Sequence, residues 1–232
     1  MSNLPARAKL PGEIISCTRC PRLVKYRQKV AREEKKQYMS WKYWGAPLPG
    51  FGDIWAQLVI VGLAPAAHGG NRTGRMFTGD GSASFLMRAL HAAGFANQPT
   101  SEHGRDGLKM RNAFLTAAVR CPPPQNKPLP SELVNCSEYL DRELALLSRR
   151  RVVLTLGHVA FKSYLNHVKR KGGYIPRLIF KHGQTYRLPA GSPTLVASYH
   201  PSRQNTQTGR LTTKMMEQAL AAVKKVLIDS QR

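Results

Sequence analysis

Residues 56–94 read AQLVIVGLAPAAHGGNRTGRMFTGDGSASFLMRALHAAG. The run 56–64 is short and apolar and then meets Gly and Pro, the pattern of a strand buried in a parallel sheet. Residues 80–94 space apolar side chains at helical period and stop at Gly94. Between them, residues 61–80 hold five glycines, one carboxylate (Asp80) and two arginines (Arg72 and Arg75). Glycine at this density lets backbone come close to a ligand.

The same alternation continues outward. Residues 112–121, 151–157 and 194–200 read as further strands. Residues 131–148, 158–170 and 212–227 read as helices, the first capped by Ser131 after Pro130. Strands separated by helices form a parallel sheet covered on both faces, and right-handed crossovers make it a three-layer α/β/α sandwich. Residues 1–12, 45–53 and 96–107 are the least regular, and no repeat divides the 232 residues, which read as a single domain. Open parallel sheets bind ligands beyond the C-terminal ends of their strands. Three unusual loops follow strands here, GLAPAAHGGN (62–71), CPPPQNKP (121–128) and YHPSRQN (199–205), and all converge on one crevice. His158, in LGHVA, opens a helix and is expected to cap or pack.

Lysine and arginine number 36 against 13 acidic residues, a formal charge of +23. Such an excess favours a polyanion, nucleic acid first and an anionic membrane surface second. The basic runs 29–45, 148–151 and 167–173 are spread along the chain, which argues for a folded basic face rather than a disordered arm. No apolar run reaches about 18 residues, so no membrane span is expected. The opening MSNLPARAKLPGEIISC has no apolar signal core, so a cytoplasmic, nucleoid-associated monomer is expected.

Cys17 and Cys20 form CTRC, and Cys121 and Cys136 bracket a proline-rich turn and a helix start. Four cysteines in an intracellular chain suggest metal before disulfides. The spacing is neither that of a zinc ribbon nor that of the bacterial ferredoxin run. Composition alone slightly favours structural zinc over an iron–sulfur cluster. Four unrelated buried cysteines are the plain alternative.

Taken together, GLAPAAHGGNRTGRMFTGD (62–80), VRCPPPQNKP (119–128) and YHPSRQNTQTGRLT (199–212) resemble the family 5 uracil-DNA glycosylases, the type b group of archaea and bacteria. WKYWGAPLPGFGD (41–53) and the cysteine spacing agree, and the resemblance runs from Cys17 to the final helix. It implies the uracil-DNA glycosylase fold with a central four-stranded parallel sheet. It implies a [4Fe–4S] cluster on Cys17, Cys20, Cys121 and Cys136. The activity it implies is excision of uracil and other deaminated bases, hypoxanthine included, from DNA.

Under that resemblance each residue type has a chemical task. His200 is the hydrogen-bond donor to the departing base, with a plain turn histidine as the alternative. Phe77 offers a face for the flipped base, or packs the loop. The backbone from Gly62 to Ala64 can approach the base. Related glycosylases carry an acid or amide in this first motif, whereas this chain has Ala64 and Ala66. Asp80 therefore either positions the attacking water or only caps a helix. Asn126 is a second candidate for water or base. Family 4 relatives read the base with an asparagine where Ala117 stands here, and its loss relaxes selectivity. Arg75, Ser202 and Arg203 are candidate phosphate contacts. A non-catalytic iron–sulfur or zinc nucleic-acid-binding protein fits the charge and cysteines equally well, but not the apolar pocket bearing a histidine. A nucleotide-binding enzyme fits less well, because no Gly-Lys-Ser/Thr follows the glycine loop.

Overall fold

The computed structural model describes residues 4–33, 36–189 and 191–230. The apolar run around Ile60 is strand β2 (Leu58–Gly62), and all of it is buried. It lies parallel to β3 (Ala113–Ala117) on one side and to β4 (Val152–Leu156) on the other. Strand β6 (Thr194–Ser198) extends the sheet beyond β4, again parallel. This is the expected four-stranded parallel core. Two edge strands of two residues each were not legible in the sequence. β1 (Phe51–Gly52) pairs antiparallel with β3, and β5 (Thr185–Tyr186) with β6. The full order is β1-β3-β2-β4-β6-β5.

Alternate residues of each strand enter opposite layers. Leu58 and Ile60 pack among side chains of α4 (Gly81–Ala92) and α8 (Thr213–Asp229). Val59 and Val61 pack among those of α5 (Pro130–Leu146) and α6 (His158–Arg170). Burying each branched side chain stabilises by roughly 1.5–3 kcal/mol. A strand with no polar alternation is stable only between two such layers.

The N-terminal region corrects the sequence reading. The part of residues 1–12 that is described belongs to helix α1 (Leu4–Ile15), which contains Pro11; residues 1–3 lie outside the described residues. Leu10 and Ile14 are buried against Tyr139 of α5, and this packing outweighs the poor local propensity. Helix α2 (Pro21–Arg32) buries Leu23, Arg27 and Val30 along one stripe. Arg22 pairs with Glu132 of α5 at 2.7 and 2.8 Å. Helix α5 also begins earlier than expected. Leu129 holds the N-cap position, Pro130 and Ser131 are in the first turn, and Glu132 accepts from the Leu129 amide at 2.7 Å. Ser131 is therefore not the cap. Two short helices, α3 (Gly70–Thr73) and α7 (Arg203–Gln207), fall inside what read as loops.

The chain leaves β2 toward β3 and afterwards builds β4 on the opposite side of β2. The strand order reverses there, and such a reversal opens a crevice at the C-terminal strand ends. Among the described residues, no helix is long and apolar enough to cross a membrane.

Candidate active site

That crevice holds a cavity of about 530 Å³, within the usual size range for a small-molecule site. The three expected loops meet in it. Leu63, Ala64, Pro65 and Ala66 come from the loop after β2, Gln125 and Asn126 from the proline turn, and His200, Ser202, Arg203 and Gln204 from beyond β6. Met76, Phe77, Asp80, Gly81 and Ser82 complete the wall.

Two glycines act differently from the expectation. Gly62 is not among the residues that line the cavity, and a Cβ there would stand 2.5 Å from the Phe77 ring. A Cβ on Gly69 would stand 2.1 Å from Asp80 Oδ2. Their missing side chains make room for the phenyl ring and the carboxylate, and both residues line the cavity.

Asp80 is a helix cap and also lines the cavity. Its Oδ1 accepts from the Ala83 amide at 2.9 Å and caps α4. Its Oδ2 lies against Gly69 in the cavity wall. Burial pushes the carboxyl above its usual range, while the Ala83 and Ser82 amides and the Arg72 charge pull it back.

His200 leaves the sheet just after β6. The Asn205 side chain donates to its carbonyl at 2.8 Å, and Ser202 Oγ accepts from the Asn205 amide at 3.3 Å and caps α7. Gly157 leaves room beside it, since a Cβ there would lie 3.2 Å from His200 Cβ. Burial pushes the imidazole pKa down to about 4. The ring is therefore neutral at neutral pH, with one N–H to donate.

Among the described residues, three of the four non-glycine residues at positive φ line this cavity: Phe77 (49°), Gln125 (55°) and Asn126 (58°). Residues held in the left-handed region cost about 1–3 kcal/mol each and gather at functional sites. Gln125, Met76 and Gln204 were missed from sequence; the three prolines before Gln125 were the available signal.

Arg75 departs from its expected role. Its guanidinium pairs with Asp106 at 2.7 and 2.9 Å and also donates to Thr78 and Ser101. It is buried, and its donors are used inside the protein, so it does not offer a phosphate contact. Arg203 is exposed at the cavity mouth beside Gly81. Ala117 lies behind the wall, packed with Leu48, Met76 and Phe77. His158 opens α6 with its ring edge on Phe180, 5.8 Å between centroids.

The cysteines gather behind the same wall. Cys20, Cys121 and Cys136 share a buried cluster with Leu23 and Val119, and Ala64 packs against it. Cys17 packs beside Tyr139. All four are free thiols. Burial pushes Cys121 up to about 12 and Cys136 to about 11, and charge on the other thiols adds to both. The Arg27 charge opposes the rise at Cys121, and the Arg120 amide and charge oppose it at Cys136. Both arginines are buried, and Arg27 Nε has no hydrogen-bond partner. Asn135 donates to Cys20 Sγ at 3.5 Å. Buried cations and donors around four thiols suit a centre of thiolate charge. Among the described residues, however, no three His, Cys, Asp or Glu side chains form a closed metal-ligand group.

A parallel sheet with a histidine- and carboxylate-bearing cavity at its switch point, on a strongly basic chain, defines an α/β protein with an enzyme-type site and a charge suited to a polyanion. Residues 49–224 match the family described as the uracil DNA glycosylase superfamily. The type-5 uracil-DNA glycosylase of Thermus thermophilus is 47% identical over 92% of this chain and 94% of its own. That of Pyrobaculum aerophilum is 45% identical over 90% and 88%, and that of Mycobacterium tuberculosis 45% over 94% and 81%. The chain belongs to the uracil-DNA glycosylase superfamily.

Proposed function

We propose that the protein is a monofunctional type-5 uracil-DNA glycosylase, hydrolysing the N-glycosidic bond of uracil and other deaminated bases in DNA. The observation that carries this reading is a neutral, half-buried His200 sharing one cavity with Asp80. The target base leaves the stack and enters the cavity, with Phe77 as its stacking face. As the bond breaks, negative charge develops on the base, and the His200 N–H meets it without first losing a proton. Positive charge develops on the sugar, and the Asp80 carboxylate stabilises it and orients water through Oδ2. Asn126, held at positive φ on the rim, contacts water or base. Ser202 and Arg203 contact phosphate at the mouth. With Ala117 behind the wall, no strand-borne amide reads the base, which supports acceptance of hypoxanthine beside uracil.

The four thiols would hold a [4Fe–4S] cluster, whose contribution is to tie the N-terminal helices to the loop after β3 and to α5. Ala64 touches both that thiol cluster and the cavity, so the centre supports the wall rather than reacting. This reading takes the protein as one domain acting as a monomer. The basic composition supports association with DNA, and a non-catalytic binder would have no use for the cavity. The test is release of free base from single- and double-stranded oligonucleotides carrying uracil or hypoxanthine. Absence of base release from every substrate by folded protein overturns the reading.

A further inference from the structure

The proposed chemistry leaves a buried cation of the glycine loop unused. Arg72, in α3, is 4% exposed. Its Nε donates to the His68 carbonyl oxygen and its Nη2 to the Gly79 carbonyl oxygen, each at 2.9 Å. One guanidinium thus spans the loop and holds the residue just before Asp80. Gly79 has φ +78°, and a Cβ there would stand 2.5 Å from Arg72 Nη2. The guanidinium lies over the rings of Tyr38 and Trp41, 3.9 and 4.2 Å from their centroids. The same segment is stitched to α3, for the Trp44 amide donates to the Arg72 carbonyl and the Gly45 amide to that of Asn71, both at 3.1 Å.

We propose that Arg72 is the positioning residue of the active-site carboxylate. Its fork fixes the turn that delivers Asp80 to the cavity. Tyr38 and Trp41 clamp the fork from outside. The proposal rests on the reading of Asp80 as the group that handles water. The charged or titratable groups near Asp80 are Arg72 from α3, Arg203 from α7, and His200 beyond β6. Of these, Arg72 is the one whose charge acts on the carboxyl, against the cost of burial. An arginine fork makes directed planar contacts that a lysine ammonium cannot reproduce.

The test compares wild type with Arg72→Gln, Arg72→Lys and the double variant Tyr38→Leu, Trp41→Leu. Single-turnover uracil release is followed against pH, and the Asp80 carboxyl is titrated by carbon-13 NMR in the free protein. Arg72→Gln is expected to move the acid limb and the Asp80 titration upward together, with a lower rate below the limb. Arg72→Lys keeps the charge but loses the fork, so the limb holds and the plateau falls. The double variant lowers the plateau in the same way. If Arg72→Gln does not fold, the lysine and double variants decide by the same readouts. An unmoved limb and Asp80 titration in folded Arg72→Gln, or wild-type plateaus in both other variants, overturns the proposal. Full activity of Asp80→Asn instead sinks the water-handling reading, and the NMR titration then still judges the grip of Arg72.

Discussion

At the scale of single residues, the imidazole of His200 and the carboxylate of Asp80 can be separated by experiment. His200→Ala should lower single-turnover cleavage by about 10²-fold, the cost of one lost oxyanion-type donor, with DNA binding nearly unchanged. Equal loss of binding and cleavage would make His200 a packing residue. Asp80 caps α4 with one oxygen, packs the other against Gly69 and lines the cavity. Asparagine also caps well, so Asp80→Asn should slow cleavage on both uracil and hypoxanthine while melting close to wild type. Asp80→Ala should lose roughly 1 kcal/mol of stability as well. Acid stability gives an independent check on His200. Its folded pKa of about 4 lies below the ordinary 6.5. Between those values the unfolded chain binds a proton that the folded one does not. Stability should therefore fall as pH drops from about 6.5 to 4, by roughly 1.4 kcal/mol per pH unit from this group. His182 and His167 are also pushed down by burial and add to the fall. The carboxylates held low by arginines, Asp106 and Asp141, contribute only at more acid pH. Denaturant melts of His200→Ala should show a shallower loss over that window, and an unchanged slope would show that the ring is not held neutral.

At the scale of elements, what was legible follows from which interactions are local. The four central strands and the helices α4, α5, α6 and α8 were readable because each needs a continuous apolar stripe over many residues. Helix α1 was not, because the described part of its buried stripe is Leu10 and Ile14, and Pro11 interrupts its local signal. The edge strands of two residues each exist through pairing with β3 and β6, which no short run can announce. The site was legible as three loops, since strand order at a switch point follows from alternation. The uses of its glycines were not. Whether Gly62 meets a ligand or the Phe77 ring depends on where a loop folds back. Arg75 misled for the same reason, because Asp106, 31 residues away, claims its guanidinium. The N-terminal helices also carry the cofactor prediction. Anaerobically prepared protein should be brown and contain iron and sulfide. Metal analysis giving one zinc and no iron would replace the cluster with a structural zinc site. Cys17→Ser should cost folding or DNA binding more than chemistry in the cavity, because Cys17 packs against Tyr139 while the cavity wall touches the other three cysteines through Ala64.

At the scale of the whole molecule, 36 basic residues against 13 acidic ones cannot be neutralised internally. Nine ion pairs occur among the described residues, and several share a partner, such as Asp141 with both His167 and Arg170. Most of the cationic side chains therefore face solvent without a carboxylate. Self-repulsion of that size costs stability, and a polyanion that releases counterions on binding offsets it. Affinity for undamaged duplex should then fall linearly in log–log form with salt, with a slope of about −0.9 per phosphate neutralised. Arg203 at the cavity mouth is one such contact in the proposed function, so Arg203→Ala should make the slope shallower by about one, uniformly across sequences. His200→Ala should leave the slope alone, because a neutral ring releases no counterion. Fluorescence anisotropy over a salt series on one labelled duplex measures all three proteins. A flat wild-type line would show that the charge serves something other than DNA. An unchanged slope in Arg203→Ala would move the phosphate contact away from the cavity mouth.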